Sequence, residues 1–346
     1  MKQNKVAVGI SGGVDSSVAA YLLKEKGYEV IGITMKLIDD EKSNSAINDA
    51  KEVCNALNIE HYVFDLTKEF KKIVINNFIE SFKNATTPNP CVVCNKFFKF
   101  GLFYEKAKEL GCNYIATGHY AKIKDGRLYR ADVIEKDQSY FLYGINKAIL
   151  NHVLFPLQGY SNKSEIREIA NKINLIISNK KDSQEICFVP NDDYKSYLDN
   201  NMEELPKKGD ICLEDGTVLG THNGLMYYTI GQRKGLNISY KEPLYVINLD
   251  KENNKVIVGP NDNLFKNIVI ATNINLLVDI DEINNEIYAK VRSRGQLKKC
   301  RVELLPDNNA RIEFLESERA ITKGQSIVFY NNNDCCLGGA IIKEVN

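Results

Sequence analysis

Two sets of residues in this 346-residue chain have the types and spacing for chemistry. The first is Ser11-Gly12-Gly13-Val14-Asp15-Ser16-Ser17, entered by the apolar run Val6-Ala7-Val8-Gly9-Ile10 and left by Val18-Ala19-Ala20-Tyr21-Leu22-Leu23 at helical spacing. Strand, tight loop and helix in that order make an anion site. Glycines let the backbone turn sharply and approach phosphate oxygens, and the open N–H groups of a helix start carry partial positive charge. Asp15, Ser16 and Ser17 can cap the helix, and the hydroxyls of Ser11, Ser16 and Ser17 can donate to a polyphosphate. The loop is neither a Walker A sequence, for lack of the Gly-Lys-Ser/Thr ending, nor Gly-x-Gly-x-x-Gly.

The second set is sulfur. Cys91-Val92-Val93-Cys94 follows Thr87-Pro88-Asn89-Pro90, whose prolines hold the backbone extended, so the pair is expected in a loop. Cys187 stands far along the chain among mixed charges. A lone C-x-x-C has four common explanations: zinc, a redox disulfide, iron–sulfur ligation or coincidence. No second C-x-x-C or H-x-x-x-H completes a zinc site. Cys54, Cys112, Cys212 and Cys300 fall in helix or strand patterns and read as packing residues, as do His61, His152 and His222. Cys335 and Cys336 are expected in a turn near the C-terminus.

The elements that must position these groups alternate. Strands are expected at Glu29 to Met35, His61 to Leu66 and Cys112 to Tyr120, and helices at Ala46 to Leu57, Thr67 to Asn84, Phe98 to Leu110 and Lys163 to Asn174. Asp39 to Ser45 reads as loop, and Asp125-Gly126 as the turn of a hairpin. The fold class is α/β, a parallel sheet with the glycine loop at a switch point. From Gly209 onward short alternating strands with Gly and Asn turns take over. Three domains are expected: a catalytic domain over 1–205, a small β-rich domain over 206–262 and a C-terminal β-barrel over 263–346. Lys plus Arg and Asp plus Glu balance at 45 each, so a nucleic-acid partner must be held by local basic patches. No run is long enough to span a membrane, no secretory segment leads the chain, and nine cysteines do not make a secreted disulfide scaffold, so the cytoplasm is expected and no membrane partner.

The glycine loop resembles the pyrophosphate loop (PP-loop) of the adenylating ATP pyrophosphatases, the adenine-nucleotide α-hydrolase-like fold. With Thr87-Pro88-Asn89-Pro90, Cys94-Asn95-Lys96, Ala116-Thr117-Gly118-His119-Tyr120, Lys136-Asp137-Gln138-Ser139-Tyr140-Phe141-Leu142, Ile186-Cys187-Phe188, Gly231-Gln232-Arg233-Lys234-Gly235-Leu236 and Gly324 to Tyr330, in that order, it resembles the tRNA-specific 2-thiouridylases over essentially the whole chain. That resemblance implies ATP-dependent insertion of sulfur at C2 of the wobble uridine of tRNA, with Mg2+ accompanying ATP. It implies ATP contacts at Gly9, Ile10, Ser11, Gly12, Gly13, Val14, Asp15, Ser16, Met35 and Gly118. It implies a target-base pocket at Asn89, Pro90 and Cys91, and tRNA contacts at Lys136, Asp137, Gln138, Arg292, Ser293, His119 and Gln325. The catalytic set is Cys94, Cys187 and Cys91: ATP adenylates the uridine O2, a persulfide on Cys187 delivers sulfur, and Cys94 acts as nucleophile or resolves the product as a disulfide with Cys187. The sulfur donor would be a cysteine desulfurase or a sulfur-relay protein.

One residue departs from the pattern. Many members carry aspartate where this chain has Cys91, assigned there to proton transfer, and a thiol does not inherit that task. Cys91, Cys94 and Cys187 instead resemble the cluster-binding pattern of related tRNA thiolases, in which three thiolates hold a 4Fe–4S cluster with one iron open to hydrosulfide. The persulfide and cluster routes both stay open at this point. Two other readings compete: a PP-loop tRNA-modifying ligase or amidotransferase, which needs no thiols, and a non-catalytic RNA-binding or iron–sulfur carrier module.

Overall fold

The computed structural model describes residues 4–160, 162–173, 175, 177, 186–202, 204, 206–284 and 287–346. Lys180 to Glu185, just ahead of Cys187, lie outside the described residues. The chain forms two compact units, each discontinuous in sequence. The first comprises Met1–Val74, Cys91–Gln184 and Asn333–Leu337, the second Ile75–Pro90, Glu185–Asn332 and Gly338–Asn346.

The first unit carries, in chain order, β1 (Lys5–Gly9), α1 (Val14–Glu25), β2 (Glu29–Lys36), α2 (Glu41–Ala56), β3 (Glu60–Asp65), β4 (Tyr114–Ala116), the hairpin β5 (Lys122–Lys124) and β6 (Arg127–Tyr129), and β7 (Val153–Leu154). Strands β3-β2-β1-β4-β7 form a parallel sheet, so the chain leaves β1 to one side and returns on the other, the switch point expected of a nucleotide site. Val6, Val8, Val18, Ala19, Leu23, Ile166 and Ala170 pack in one core, where α1 meets the helix Lys163–Lys172. Gly27, at φ 82°, ends α1. Asp125 and Gly126 both have positive φ, as a two-residue hairpin turn requires. The helix α2 starts at Glu41, ahead of the expected Ala46, because the Asp40 carboxylate caps it by accepting the Ser43 N–H at 2.7 Å.

The sulfur pair lies on a helix, not in a loop. Helical turns run from Pro90–Cys94 through a π-helical stretch, Asn95–Leu102, into Phe103–Glu109. Pro90 takes the first helical position, where its missing N–H has no intrahelical partner to lose, and Phe98, Phe100 and Phe103 bury the inner face. The expected helix over Thr67 to Asn84 forms as Thr67–Phe70 and Asn76–Lys83 joined by a π turn, Lys71–Ile75. Cys336 opens a strand and is buried with Cys335, so the expected turn holds neither as an exposed thiol.

The second unit contains β8 (Gly209–Leu213), β9 (Val218–His222), β10 (Tyr245–Asp250) and β11 (Lys255–Gly259), ordered β10-β11-β8-β9 over a small core that includes Ile211, Val246, Val256 and Val258. Then β12 (Phe265–Leu276), β13 (Ile287–Lys290), β14 (Lys298–Leu305), β15 (Asn309–Arg319), β16 (Ser326–Tyr330) and β17 (Cys336–Val345) close a barrel in the order β12-β15-β14-β13-β16-β17. Closure removes exposed sheet edges. Among the described residues no helix is long and apolar enough to cross a membrane.

Candidate active site

At the end of β1 the backbone folds into a cradle. Gly12 has φ 70°, and a Cβ there would lie 2.4 Å from the Ala46 carbonyl oxygen, so only glycine lets α2 approach. Gly13 is the N-cap of α1 with extended backbone and no side-chain cap. Two of the three hydroxyls expected to face a ligand are turned inward, and Ser11 stays exposed. Ser16 Oγ and Ser17 Oγ donate to the Gly13 carbonyl at 3.0 and 2.9 Å, and Ser16 Oγ accepts the Ser11 N–H at 3.2 Å. Both serines are buried. They brace the loop, which leaves the backbone N–H groups at the start of α1, with the exposed Ser11 beside them, to meet an anion.

Asp15 does not cap the helix either. Its two oxygens take the Tyr120 hydroxyl at 2.9 Å and the Lys163 ammonium at 3.2 Å. Above the loop passes Gly118, just after β4: a Cβ there would stand 2.8 Å from the Ser16 nitrogen and 2.9 Å from the Asp15 carbonyl carbon. Met35 ends β2 on the same side of the sheet. The structure thus gathers Gly9 through Ser16, Met35 and Gly118 at the carboxyl edge of β1, β2 and β4. Ile10 is fixed there by Thr34, whose hydroxyl donates to the Ile10 carbonyl at 2.7 Å and so accepts from His61 Nε2 at 2.8 Å.

In the same unit Cys91 and Cys94 stand one helical turn apart, Cys91 exposed and Cys94 buried. Protein mass around the Cys91 sulfur still pushes its thiol up, opposed by the Lys99 ammonium. Asn95 is buried; its Nδ2 donates to the Phe141 carbonyl at 2.9 Å, and its Oδ1 meets no partner among the described residues. His119 shares a 2.8 Å hydrogen bond with Thr117 Oγ1, between the rings of Phe100 and Phe155. Burial, and then the Lys99 charge, hold its imidazole well below the ordinary range, so the ring is neutral at pH 7. The expected tRNA segment 136–138 folds back on Tyr120: Lys136 lies over its ring at 5.0 Å and Gln138 Oε1 accepts its N–H at 2.8 Å. Asp137 is buried and accepts from the backbone N–H of Ala131 and of Ser139 and from the Ser139 hydroxyl.

The second unit holds the other expected residues. Cys187 is exposed in a turn anchored by Phe188, whose ring packs on Phe78 at 5.2 Å and Tyr197 at 5.5 Å. Gln325 Nε2 donates to the carbonyls of Thr87 and Pro88 at 3.2 and 3.0 Å, and the Thr87 N–H donates to Lys323 O, so the turn 323–325 fastens the segment that leads into Asn89 and Pro90. A Cβ on Gly324 would meet Thr87 O at 2.9 Å. Arg292 lies exposed after β13, beside Ser293. Tyr120 and Lys163 hold Asp15, a role that sequence reasoning did not single out. Tyr120 and Lys163 sit 105 and 148 positions from Asp15, and no spacing rule links them.

Known proteins resemble this chain along its length. The tRNA methyl transferase HUP domain matches residues 4–191, the tRNA methyl transferase PRC-barrel domain 195–260 and the aminomethyltransferase beta-barrel domain 266–342. The tRNA-specific 2-thiouridylase MnmA 1 of Clostridium tetani is 48% identical over 356 residues, covering 99% of this chain and 98% of that one. The tRNA-specific 2-thiouridylase MnmA of Halothermothrix orenii is 45% identical over 358 residues, covering 99% of each. Among solved structures, the U34-tRNA thiolase NcsA from Methanococcus maripaludis with its 4Fe–4S cluster matches at 23% identity over 57% of this chain and 64% of that one, with a TM-score of 0.37, a distant likeness that assigns no residue a role. Near half identity along its full length, with the PP-loop, the middle sheet and the closed barrel in the same order, makes this chain a member of the tRNA-specific 2-thiouridylase family.

Proposed function

We propose that this protein catalyses ATP-dependent 2-thiolation of the wobble uridine of tRNA. The observation that carries the reading is the cradle at the start of α1: Gly12 and Gly118 let α2 and the chain after β4 pack against the loop where a side chain would clash, and Gly13, open on its Cβ side, leaves the helix N–H groups accessible to a polyphosphate. ATP, entering with Mg2+ as substrate, is held by the backbone of Gly9 through Ser16, with Met35 and Gly118 at the edges. Transfer of AMP to the uridine O2 releases pyrophosphate and converts a carbonyl oxygen, a poor leaving group, into an adenylate. The terminal sulfur of a Cys187 persulfide then attacks C2 and AMP departs. Cys94 attacks the Cys187 sulfur, forming a disulfide as the thiolated base is released. The persulfide sulfur comes from a cysteine desulfurase or a sulfur-relay protein. Reaching a C2 carbonyl requires the base to leave the anticodon stack, and Asn89, Pro90 and Cys91 form its pocket. Arg292, Ser293, His119 and the 136–138 segment serve tRNA, the last through the loop that it shapes around Tyr120.

For the cluster route, Cys91 and Cys94 supply two thiols at a spacing that suits one metal, but burial disfavours the Cys91 thiolate. Among the described residues no three His, Cys, Asp or Glu side chains form a group that could hold a metal ion. A three-cysteine cluster needs Cys187 as well, which the second unit carries, whereas the persulfide route needs no metal. The test of the function is mass spectrometry of tRNA from cells lacking this protein, together with purified protein given ATP, tRNA and a persulfide source anaerobically. Loss of the 2-thio group in the cells and its formation by purified protein without iron are expected. An unchanged 2-thiouridine content would overturn the function, and strict dependence on iron and sulfide reconstitution the persulfide route.

A further inference from the structure

The second unit contains a cleft of about 280 Å³, lined by Thr87, by Thr229 to Gly231, by Val291 and Arg292, and by Arg319 and its neighbours up to Gln325. A water occupies about 30 Å³, so the space takes a group far larger than one solvent molecule. Two guanidinium groups border it, each secured along one edge. Arg292 Nη2 donates to Glu318 Oε1 at 3.1 Å and to the Arg319 carbonyl at 2.9 Å. Arg319 Nε donates to Asn261 Oδ1 at 3.0 Å, and its guanidinium lies 5.4 Å from the centre of the Tyr245 ring. Glu318 is itself nearly buried and also pairs with Lys298 at 3.4 Å. One carboxylate therefore stands against three cations, and the cluster keeps a charge of about +2. The opposite wall is Gly231, at φ 86°, where a Cβ would come within 2.9 Å of Ala320 Cβ and close to Arg319 Nη1. Bare backbone is required there, and it leaves the Arg319 fork accessible.

We propose that Arg292 and Arg319 clamp one internucleotide phosphate of the RNA substrate in this cleft. Guanidinium forks match phosphate oxygens in a planar, two-bond geometry, and side chains fixed in advance lose little rotamer freedom on binding. The assignment of Arg319 and of the cleft rests on the tRNA reading of the protein and extends it. Thr87 and Gln325 join this wall to the segment bearing Asn89 and Pro90, so a phosphate held here sets the register of the RNA relative to those residues.

The test is tRNA binding by full-length protein between 50 and 200 mM KCl, followed by fluorescence anisotropy, for wild type, Arg319→Gln and Arg292→Gln. Losing one phosphate contact lowers the slope of log K against log salt by about 0.9, so over this range each variant's affinity should fall about 3.5-fold less than the wild type's. The KM for ATP and inhibition by pyrophosphate should not change. If Arg319→Gln loses its thermal transition, Arg292→Gln, on an exposed side chain, carries the test alone. Wild-type slopes in the folded variant overturn the clamp. A raised KM for ATP or weakened pyrophosphate inhibition with an unchanged slope also overturns it, and assigns the cleft to a free phosphate ligand. Failure of wild-type protein to bind tRNA would instead mark failure of the underlying reading, and the clamp with it.

Discussion

Gly13→Ala separates the nucleotide site from the fold that carries it. Gly13 has φ −107° and ψ 161°, a conformation open to any residue, and its Cβ would meet only the Ser11 hydroxyl oxygen, at an ordinary 3.5 Å. Among the described residues, and apart from its chain neighbours, no other atom lies within 4 Å, so none of them excludes a methyl group there. Replacing an N-cap glycine by alanine costs about 0.5–1.5 kcal/mol, offset by about 0.4–1 kcal/mol from the stiffer unfolded chain. The net change is about 1 kcal/mol or less, about 1–2 °C in Tm for a chain of this size. The methyl group would, however, stand over the N–H groups that the ligand must approach. A displacement of about 1 Å in such a site costs on the order of 100-fold in rate. Differential scanning fluorimetry and AMP release in the presence of tRNA read the two quantities separately. Native-like melting with AMP release down by about two orders of magnitude is expected. Wild-type AMP release would refute a phosphate at Gly13, and a collapse in Tm would show that the protein, not a ligand, requires the glycine.

Two further outcomes follow from single positions. Gly118→Ala, whose Cβ would need about 0.6 Å of relief from the Ser16 and Asp15 backbone, should cost about 1–3 kcal/mol and raise the KM for ATP, while Gly159→Ala, with nothing within 4 Å, should leave Tm and KM in place; equal behaviour of the two would contradict the close passage of Gly118 over the loop. His222 accepts the Gly224 N–H at Nδ1 and thus donates from Nε2 to the Asn254 carbonyl, a neutral ring kept so chiefly by burial, as burial also lowers His61 and His119. Below about pH 6.5 the unfolded chain takes protons that these rings refuse, so stability is complete above that pH and falls as pH drops towards the lowered native values. His222→Gln should make the loss of Tm between pH 6.5 and 5 shallower, by at most about 1.4 kcal/mol per pH unit, and an unchanged acid slope would contradict the neutral ring.

Much of this architecture is visible in the sequence because it rests on local rules. An apolar run, two glycines and a helical spacing specify the cradle at Gly12 and Gly13, and the shift from strand–helix alternation to short strands marks the sheet and barrel. The sulfur pair was misplaced for a local reason too. Prolines at 88 and 90 read as extended chain, yet Pro90 sits at the one helical position where its ring and missing N–H fit. The serines of the loop have the right chemistry for phosphate, and only the fold shows that the Gly13 carbonyl takes their hydrogens. Gln325 has a second task visible only in the fold: the resemblance assigns it to tRNA, and its amide also secures the Thr87 and Pro88 carbonyls, more than two hundred residues away.

The pairing of Asp15 explains how an acidic residue can sit inside an anion site. A carboxylate one residue into α1 favours the helix start but repels a polyphosphate approaching the same N–H groups. Lys163 neutralises that charge at 3.2 Å and the Tyr120 hydroxyl occupies the other oxygen, so the field at the loop is left to the backbone dipoles. Both partners are carried by elements on which the sheet depends, Tyr120 just beyond β4 and Lys163 in the first turn of the helix packed on α1. The same contacts that join these parts of the core also aim Asp15, and Gln138 and Lys136 in turn hold Tyr120. The loop's geometry is therefore built in the chain itself, and a segment assigned to tRNA by likeness is mechanically continuous with the residue that sets the charge of the proposed nucleotide site.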